Sequence, residues 1–455
     1  MSSIDQQNEI NNPQSLLTRR GFLGAAAALA AVPLLTKLPT AAFAAGSDRI
    51  KVGVIGTGGR GTGAARDCLD ADPSVQIWAL GDVFPDRLGD GLKKIQSGDS
   101  GKGGKNNKGN KGNKGGGKAL GDDRVASDIR DRCFSGFDAY KKVIASGVDL
   151  VILATPPQFR PLHLEEAVRA GKHVFCEKPV AVDPVGARKI ISIGELAAQK
   201  KLSIVAGTQR RYGYNYNETM KRVRDGAIGE IVGGQCYWMQ EGLWSHERKP
   251  GWSDMEFQMR NWLYYGWLSG DHIVEQHVHN IDIMNWAMGG PPVKAVGMGG
   301  RQSRTAPIYG NIFDHFCVEF EYANGARIMS MCRQAPNTMR RVGERLVGTK
   351  GVAIPDGKIS GATKWEFTGE SPNHLKLEHI ALIKSIQNRK PINDAKQIAE
   401  STLTAILGRA SAYTGKEISY KWMLEASKLD LTPASFALGS APEVIVPVPG
   451  VTPLV

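Results

Sequence analysis

The 455-residue chain is long enough for two domains with real cores, and its 42% hydrophobic and 22% charged residues are those of a globular protein. Half of the +12 net charge falls in one run, GKGGKNNKGNKGNKGGGK, which holds six lysines, eight glycines and four asparagines. That run has no apolar residue to bury and no aromatic ring for base stacking, so it predicts a disordered surface insertion (97–122) and argues against nucleic-acid binding.

The first 45 residues read as an export signal. Arg19-Arg20 precede an apolar stretch from Ala25 to Leu35 and a small-residue site at Ala42-Phe43-Ala44. The stretch is too short for a stable membrane span. The expectation is export of a folded chain by the twin-arginine route to the periplasm or another extracytoplasmic space, with cleavage leaving Ala45 or Gly46 first. The six cysteines form no CxxC pair and are expected to be mostly buried and reduced.

A Rossmann dinucleotide-binding domain is predicted over 46–207. Val52–Ile55 is a short apolar strand. It runs into Gly56-Thr57-Gly58-Gly59-Arg60-Gly61, a G-x-G-x-x-G loop. Gly56 permits the tight turn, Gly58 lets backbone approach a pyrophosphate, and Gly61 lets the next helix pack close. A second strand ends in Asp82, placed to take ribose hydroxyls and repel a 2′-phosphate. NAD is therefore the expected cofactor, with NADP left open by the nearby Arg60 and Arg87. Strands at 148–157, 171–181 and 202–211 alternate with helical segments, which predicts a doubly wound parallel sheet. Ligands bind at the carboxyl ends of such strands. Thr155, Pro156, Glu177, Lys178 and Gln209 fall there.

The remainder, 208–455, predicts an α+β domain. Its strand-like runs include VGGQCYWMQ, VKAVGMGGR and DHFCVEFEYANGARIMSMCRQ, whose Asn-Gly marks a hairpin. SGDHIVEQHVHNIDIMNW carries three of the nine histidines. Taken as one helix over Asp271–Met288, it places His272, Glu275, His279 and Asp282 on one face and His277 elsewhere. His272, Glu275 and His279 could hold zinc, but the spacing is not H-E-x-x-H and no cysteine lies near, so no metal is expected. Six of nine tryptophans, Trp267 among them, lie between Trp238 and Trp286, as in sites that stack sugar rings or in packed cores. Arg210, Arg211 and Tyr214 are candidate hydrogen-bonding groups beside them.

GVIGTGGRG, ATPPQFRPLHLEEAVRAGKHVFCEKPVA and GDHIVEQHVHNIDIMNWAMGG together resemble the Gfo/Idh/MocA oxidoreductases, in an exported branch. The resemblance implies a Rossmann domain followed by a substrate domain with an open-faced, mainly antiparallel sheet that also carries a homo-oligomer contact. It places nicotinamide near Lys178, with His279 and Asp282 matching the family's D-x-G-x-H-x-x-D pattern. Glu275 replaces its aspartate and His277 its glycine. The implied activity is NAD(P)-dependent hydride transfer at a sugar carbinol. Lys178 and His279 handle the proton, Glu275 assists, and Asp282 and His272 position the substrate. Alternatives are glycoside cleavage through transient oxidation, or sugar binding without catalysis.

Overall fold

The computed structural model describes residues 49–97 and 123–455; the signal and the lysine-glycine run lie outside them. Continuous apolar runs build the first sheet: β1 (Ile50–Ile55), β2 (Val75–Asp82), β3 (Cys133–Ser135), β4 (Leu150–Leu153), β5 (His173–Cys176) and β6 (Ile204–Ala206). Their order is β3-β2-β1-β4-β5-β6 and every pairing is parallel. This is the doubly wound arrangement the alternating pattern predicts. The intervening helices are α1 (Gly59–Ala71), α2 (Pro85–Ser97), α3 (Ala139–Ala145), α4 (Arg160–Arg169) and α5 (Pro184–Gln199). In α2, Leu88, Leu92 and Ile95 bury one stripe while Asp90, Lys93 and Lys94 face out.

The chain continues through α6 (Tyr214–Arg224) into β7 (Ile231–Gln240), then α7 (Asp254–Arg260), α8 (Gly266–Ser269), α9 (His272–Glu275) and α10 (Val278–Met288). Strands β8 (Lys294–Gly300), β9 (His315–Glu321), β10 (Arg327–Gln334), β11 (Arg341–Gly348), β12 (Gly351–Ile354), β13 (Lys358–Gly361) and β14 (Trp365–Glu366) follow. The chain ends with α11 (His374–Gln387), α12 (Ala395–Thr414), β15 (Ile418–Ser419), α13 (Tyr420–Glu425) and an irregular tail. The second sheet runs β14-β13-β12-β11-β7-β10-β9-β8-β15, antiparallel except for the β7–β10 pair. Alternation sets its two faces. Phe316, Val318 and Phe320 are buried on one side, while Val296 and Met298 stand exposed on the other.

Sequence order and spatial packing part company near the end. Leu382, Ile383 and Ile386 of α11 and Ala395, Ile398 and Ala399 of α12 belong to the cores under the first sheet, although they follow the second. Helix α12 is buried on nearly all sides because its first turns pack against α5 and the rest against β8 and β9. All six cysteines are free, and four of them are buried.

The single helix expected over 271–288 is broken between α9 and α10 at Gln276-His277. The Glu275 carbonyl accepts from Lys178 Nζ at 2.6 Å, while the His279 N–H turns to Gln276 O at 3.4 Å. A tertiary lysine thus occupies a carbonyl that a continuous helix would use internally. Upstream, Asp271 sits at φ 74, with its carboxylate accepting from the backbone N–H groups of His272 and Phe313 and from the Tyr413 hydroxyl.

Candidate active site

A groove of about 1310 Å³ opens across the carboxyl end of the first sheet, lined by Gly56, Gly58, Gly59, Arg60, Asp82, Thr155 and Pro156 on one side and by Gln240, Glu275 and Gln276 on the other. The glycines divide their work. Gly56 adopts φ +90 and a Cβ there would stand 2.7 Å from the Ala154 carbonyl carbon. A Cβ on Gly61 would lie 1.8 Å from Gly56 O, so this glycine is required for helix α1 to seat on the strand. A Cβ added at Gly58 or Gly59 would meet nothing within 4 Å. Their missing side chains leave space in the groove, and no side chain caps the N-terminus of α1. That open cradle fits a pyrophosphate.

Asp82 accepts from the Thr57 N–H at 2.8 Å and hydroxyl at 3.2 Å with one oxygen, and from the Phe84 N–H at 3.0 Å with the other. Burial pushes its carboxyl up, against these hydrogen bonds and the Arg87 charge. It lines the groove at the ribose end while bracing the glycine turn.

Behind the opposite end lies Glu177-Lys178-Pro179, with a cis peptide before Pro179. Lys178 Nζ donates to Glu275 Oε1 at 3.0 Å as well as to the Glu275 carbonyl, and both side chains are about nine-tenths buried. Lys178 touches the groove through Glu275. Glu177 receives Arg60 Nε at 2.5 Å and the Lys178 N–H at 3.3 Å. Gly207 leaves room for this carboxylate, since a Cβ would fall 2.7 Å from it. Arg60 also meets Glu378 at 3.4 Å and Asp67 at 3.3 Å. Burial works against its charge, but the three carboxylates outweigh that and hold it protonated.

His279 is buried and stacks on Trp238 at 5.7 Å. Burial, then the charges of Lys178, Arg210 and Arg60, hold it well below the ordinary histidine range, so its resting imidazole is neutral. His272 is driven the same way by burial and by His277, Arg304 and Lys178 among its neighbours.

Other expected substrate groups are engaged elsewhere. Asp282 is 1% exposed and accepts from Arg211 at 2.8 and 3.0 Å, Gln397 at 2.7 Å and Ser401 at 2.7 Å. Asp282 and Arg211 therefore form a buried latch that ties the turn Gln209–Tyr212 to α10, and Gln397 and Ser401 extend it to α12. Arg210 pairs with Glu344. Tyr214 is 47% exposed at the start of α6, and Trp267 donates to Gln258 at 2.6 Å within the hydrophobic cluster that also holds Phe84 and Phe159. Gln209, Tyr214 and Trp267 lie outside the lining of the groove. His277, which stands where the family pattern has glycine, bonds Ser330 at 2.8 Å inside the core of the second sheet. Of the six clustered tryptophans, Trp244 and Trp262 line the groove. Among the described residues no histidine, cysteine or acidic cluster has metal-binding geometry.

Three partners escaped sequence reasoning. Glu344 is a lone acid in a strand, now bonded to Arg210, Asn280 and Tyr216. Arg160 ties Thr155 O, at 3.1 Å, to Pro179 O. Glu378 had a usable signal: Leu375, Glu378, His379, Leu382, Ile383 and Ile386 recur at helical spacing, which puts an acid on the buried stripe of α11.

Comparison with known proteins adds two family matches. Residues 122–207 match the oxidoreductase family model described as an NAD-binding Rossmann fold, and residues 216–354 match the GFO/IDH/MocA C-terminal domain. The 2,7-anhydro-N-acetylneuraminate hydratase of Escherichia coli is 26% identical over 206 residues, 45% of this chain and 50% of that protein. The inositol 2-dehydrogenase of Rubrobacter xylanophilus is 26% identical over 319 residues, covering 70% and 74%. The chain thus spans about half the length of several curated relatives it matches. The crystal structure of aldose-aldose oxidoreductase from Caulobacter crescentus superposes with a TM-score of 0.58 at 17% identity, over 82% of this chain and 99% of that one. Two consecutive domain matches on the two observed sheets, joined by the glycine loop and the Glu177-Lys178-Pro179 turn, carry one conclusion: the chain belongs to the Gfo/Idh/MocA oxidoreductase family.

Proposed function

We propose that this protein is an exported NAD(P)-dependent oxidoreductase that transfers hydride between a ring carbinol carbon of a sugar or sugar derivative and tightly bound nicotinamide. The observation that carries the reading is the Lys178–Glu275 pair, set where a phosphate-cradling glycine loop and the second half of the chain meet. The cradle and Asp82 hold the dinucleotide, with Thr155 and Pro156 along the wall. Bound nicotinamide supplies the hydride acceptor.

The chain's own residues manage the proton. The neutral His279 imidazole can accept the hydroxyl proton as hydride leaves carbon. Lys178 donates to the substrate oxygen, and Glu275 fixes Lys178 and offers a carboxylate to an adjacent hydroxyl. Exposed Val296 and Met298 on the open face of the second sheet support a homo-oligomer through that face.

A second reading is favoured by two relatives. A hydratase and an aldose-aldose oxidoreductase are named for reactions that release no reduced nucleotide. Here the carbinol is oxidised, a group β to the new ketone is eliminated, water adds, and the ketone is reduced again. Purified exported protein, its nucleotide identified, is incubated with a panel of glycosides. Ketone with stoichiometric NADH supports net oxidation, and aglycone release without NADH supports the closed cycle. A protein that binds sugar but leaves every compound unchanged overturns both.

A further inference from the structure

The dinucleotide groove has a second wall that a doubly wound sheet does not itself supply. Such a sheet binds its dinucleotide in a crevice outside the carboxyl ends of the strands, with the acid of the second strand marking the adenosine end. Here the segment between β7 and α8 crosses that end. Trp244, His246, Arg260 and Trp262 line the same groove as Asp82 and Arg87. Arg260 of α7 makes two bonds of 3.0 Å to Asp86, four residues past the ribose-end aspartate. Its guanidinium lies 4.0 Å from the Phe84 ring centre and 4.8 Å from that of Trp252, and Glu256 holds its Nε at 2.9 Å.

This crossing is built. Phe84 and Phe159 from the first half share one hydrophobic cluster with Met255, Met259 and Leu263 from the second. The C-terminal tail braces it from outside. Gly439 O accepts from the Met255 N–H at 3.0 Å, Pro442 O accepts from Gln258 Nε2 at 3.0 Å, and Phe436 packs 5.2 Å from Phe159. The helix that carries Arg260 is thus held at both ends.

We infer that residues 241–263 form a clasp over the adenosine half of the dinucleotide, that the Arg260–Asp86 pair is its fastening, and that opening this pair limits cofactor release. The inference rests on the dinucleotide reading above and identifies the residues that make binding tight. The fastening is the exposed part of the device: the Asp86 side chain is 60% exposed, so Asp86→Asn removes charge without opening a core.

The test is a release experiment that needs no substrate. Purified protein is loaded with radiolabelled NAD, then chased with excess unlabelled NAD, and bound label is followed over time. Asp86→Asn and Arg260→Gln are each expected to speed release about fivefold, the scale of one partly exposed ion pair, and the double variant no further. Added salt should speed release from the wild type and leave Asp86→Asn unchanged. Label held by all proteins and released at one common rate overturns the clasp while leaving the dinucleotide reading standing. A folded wild type that takes up no NAD overturns that reading and the clasp together.

Discussion

Gly58 and Gly61 lie in one loop and are glycines for different reasons. A Cβ at Gly61 would strike Gly56 O, whereas one at Gly58 would enter open groove. Gly61→Ala is therefore expected to cost about 1–3 kcal/mol of stability, as for overpacking. Gly58→Ala should leave the urea midpoint within about 0.5 kcal/mol of wild type yet weaken NAD binding at least about tenfold. Titration calorimetry beside urea melts checks the pair, and equal effects on both readouts would contradict the division of labour. At the other end, Lys178→Ala is expected to lower turnover by roughly 10² or more. It also leaves the Glu275 carboxylate buried without its cation, at a cost of about 3 kcal/mol. NAD retention should survive, so bound-nucleotide absorbance separates loss of chemistry from loss of fold.

At the scale of elements, the break between α9 and α10 decides which residues meet. A continuous helix would have aligned Asp282 with Glu275 and His279. The observed break leaves His279 and Asp282 together on α10 and detaches Glu275 from them, and the Asp282 carboxylate is consumed by four hydrogen bonds from Arg211, Gln397 and Ser401. Asp282→Ala should then behave as a structural variant. It strands Arg211, Gln397 and Ser401, costs about 3 kcal/mol in denaturant unfolding, and leaves NAD affinity of the folded protein unchanged. An Asp282 variant with full stability and a raised KM for sugar would restore the substrate role. The broken geometry was illegible in sequence because its cause, Lys178 Nζ on the Glu275 carbonyl, comes from ninety-seven residues away.

Across the whole molecule, burial of neutral histidines couples folding to acidity. Burial, with Arg210 adding repulsion, lowers His277 from 6.5 to about 3, and the same effect takes His163 to about 3. Between these limits the unfolded chain binds a proton that the folded one does not. Stability from each group is complete above about pH 6.5 and is lost as pH falls towards 3. Several buried carboxyls, Asp271 among them at about 6, shift upward and act in the opposite sense, so the clean measurement is a difference. His277→Gln, which keeps a partner for Ser330, should flatten the slope of unfolding free energy between pH 4 and 6 by about 1.4 kcal/mol per pH unit. Urea melts across that range check it, and parallel slopes for wild type and variant would refute the buried-neutral assignment.

The sequence by itself determined what local chemistry can determine. Apolar strand runs, the G-x-G-x-x-G loop, Asp82 at a strand end and the Asn-Gly hairpin specified a parallel nucleotide-binding sheet followed by an antiparallel one. These signals are short-range, because turns, strand period and glycine sterics act within a few residues. Tertiary structure alone decided the partners of charge. It paired Lys178 with Glu275, set Arg60 among Glu177, Glu378 and Asp67, closed Asp282 onto Arg211, and joined Arg260 to Asp86. A buried ion must find its counter-ion wherever packing brings one, and that distance through space has no counterpart in spacing along the chain.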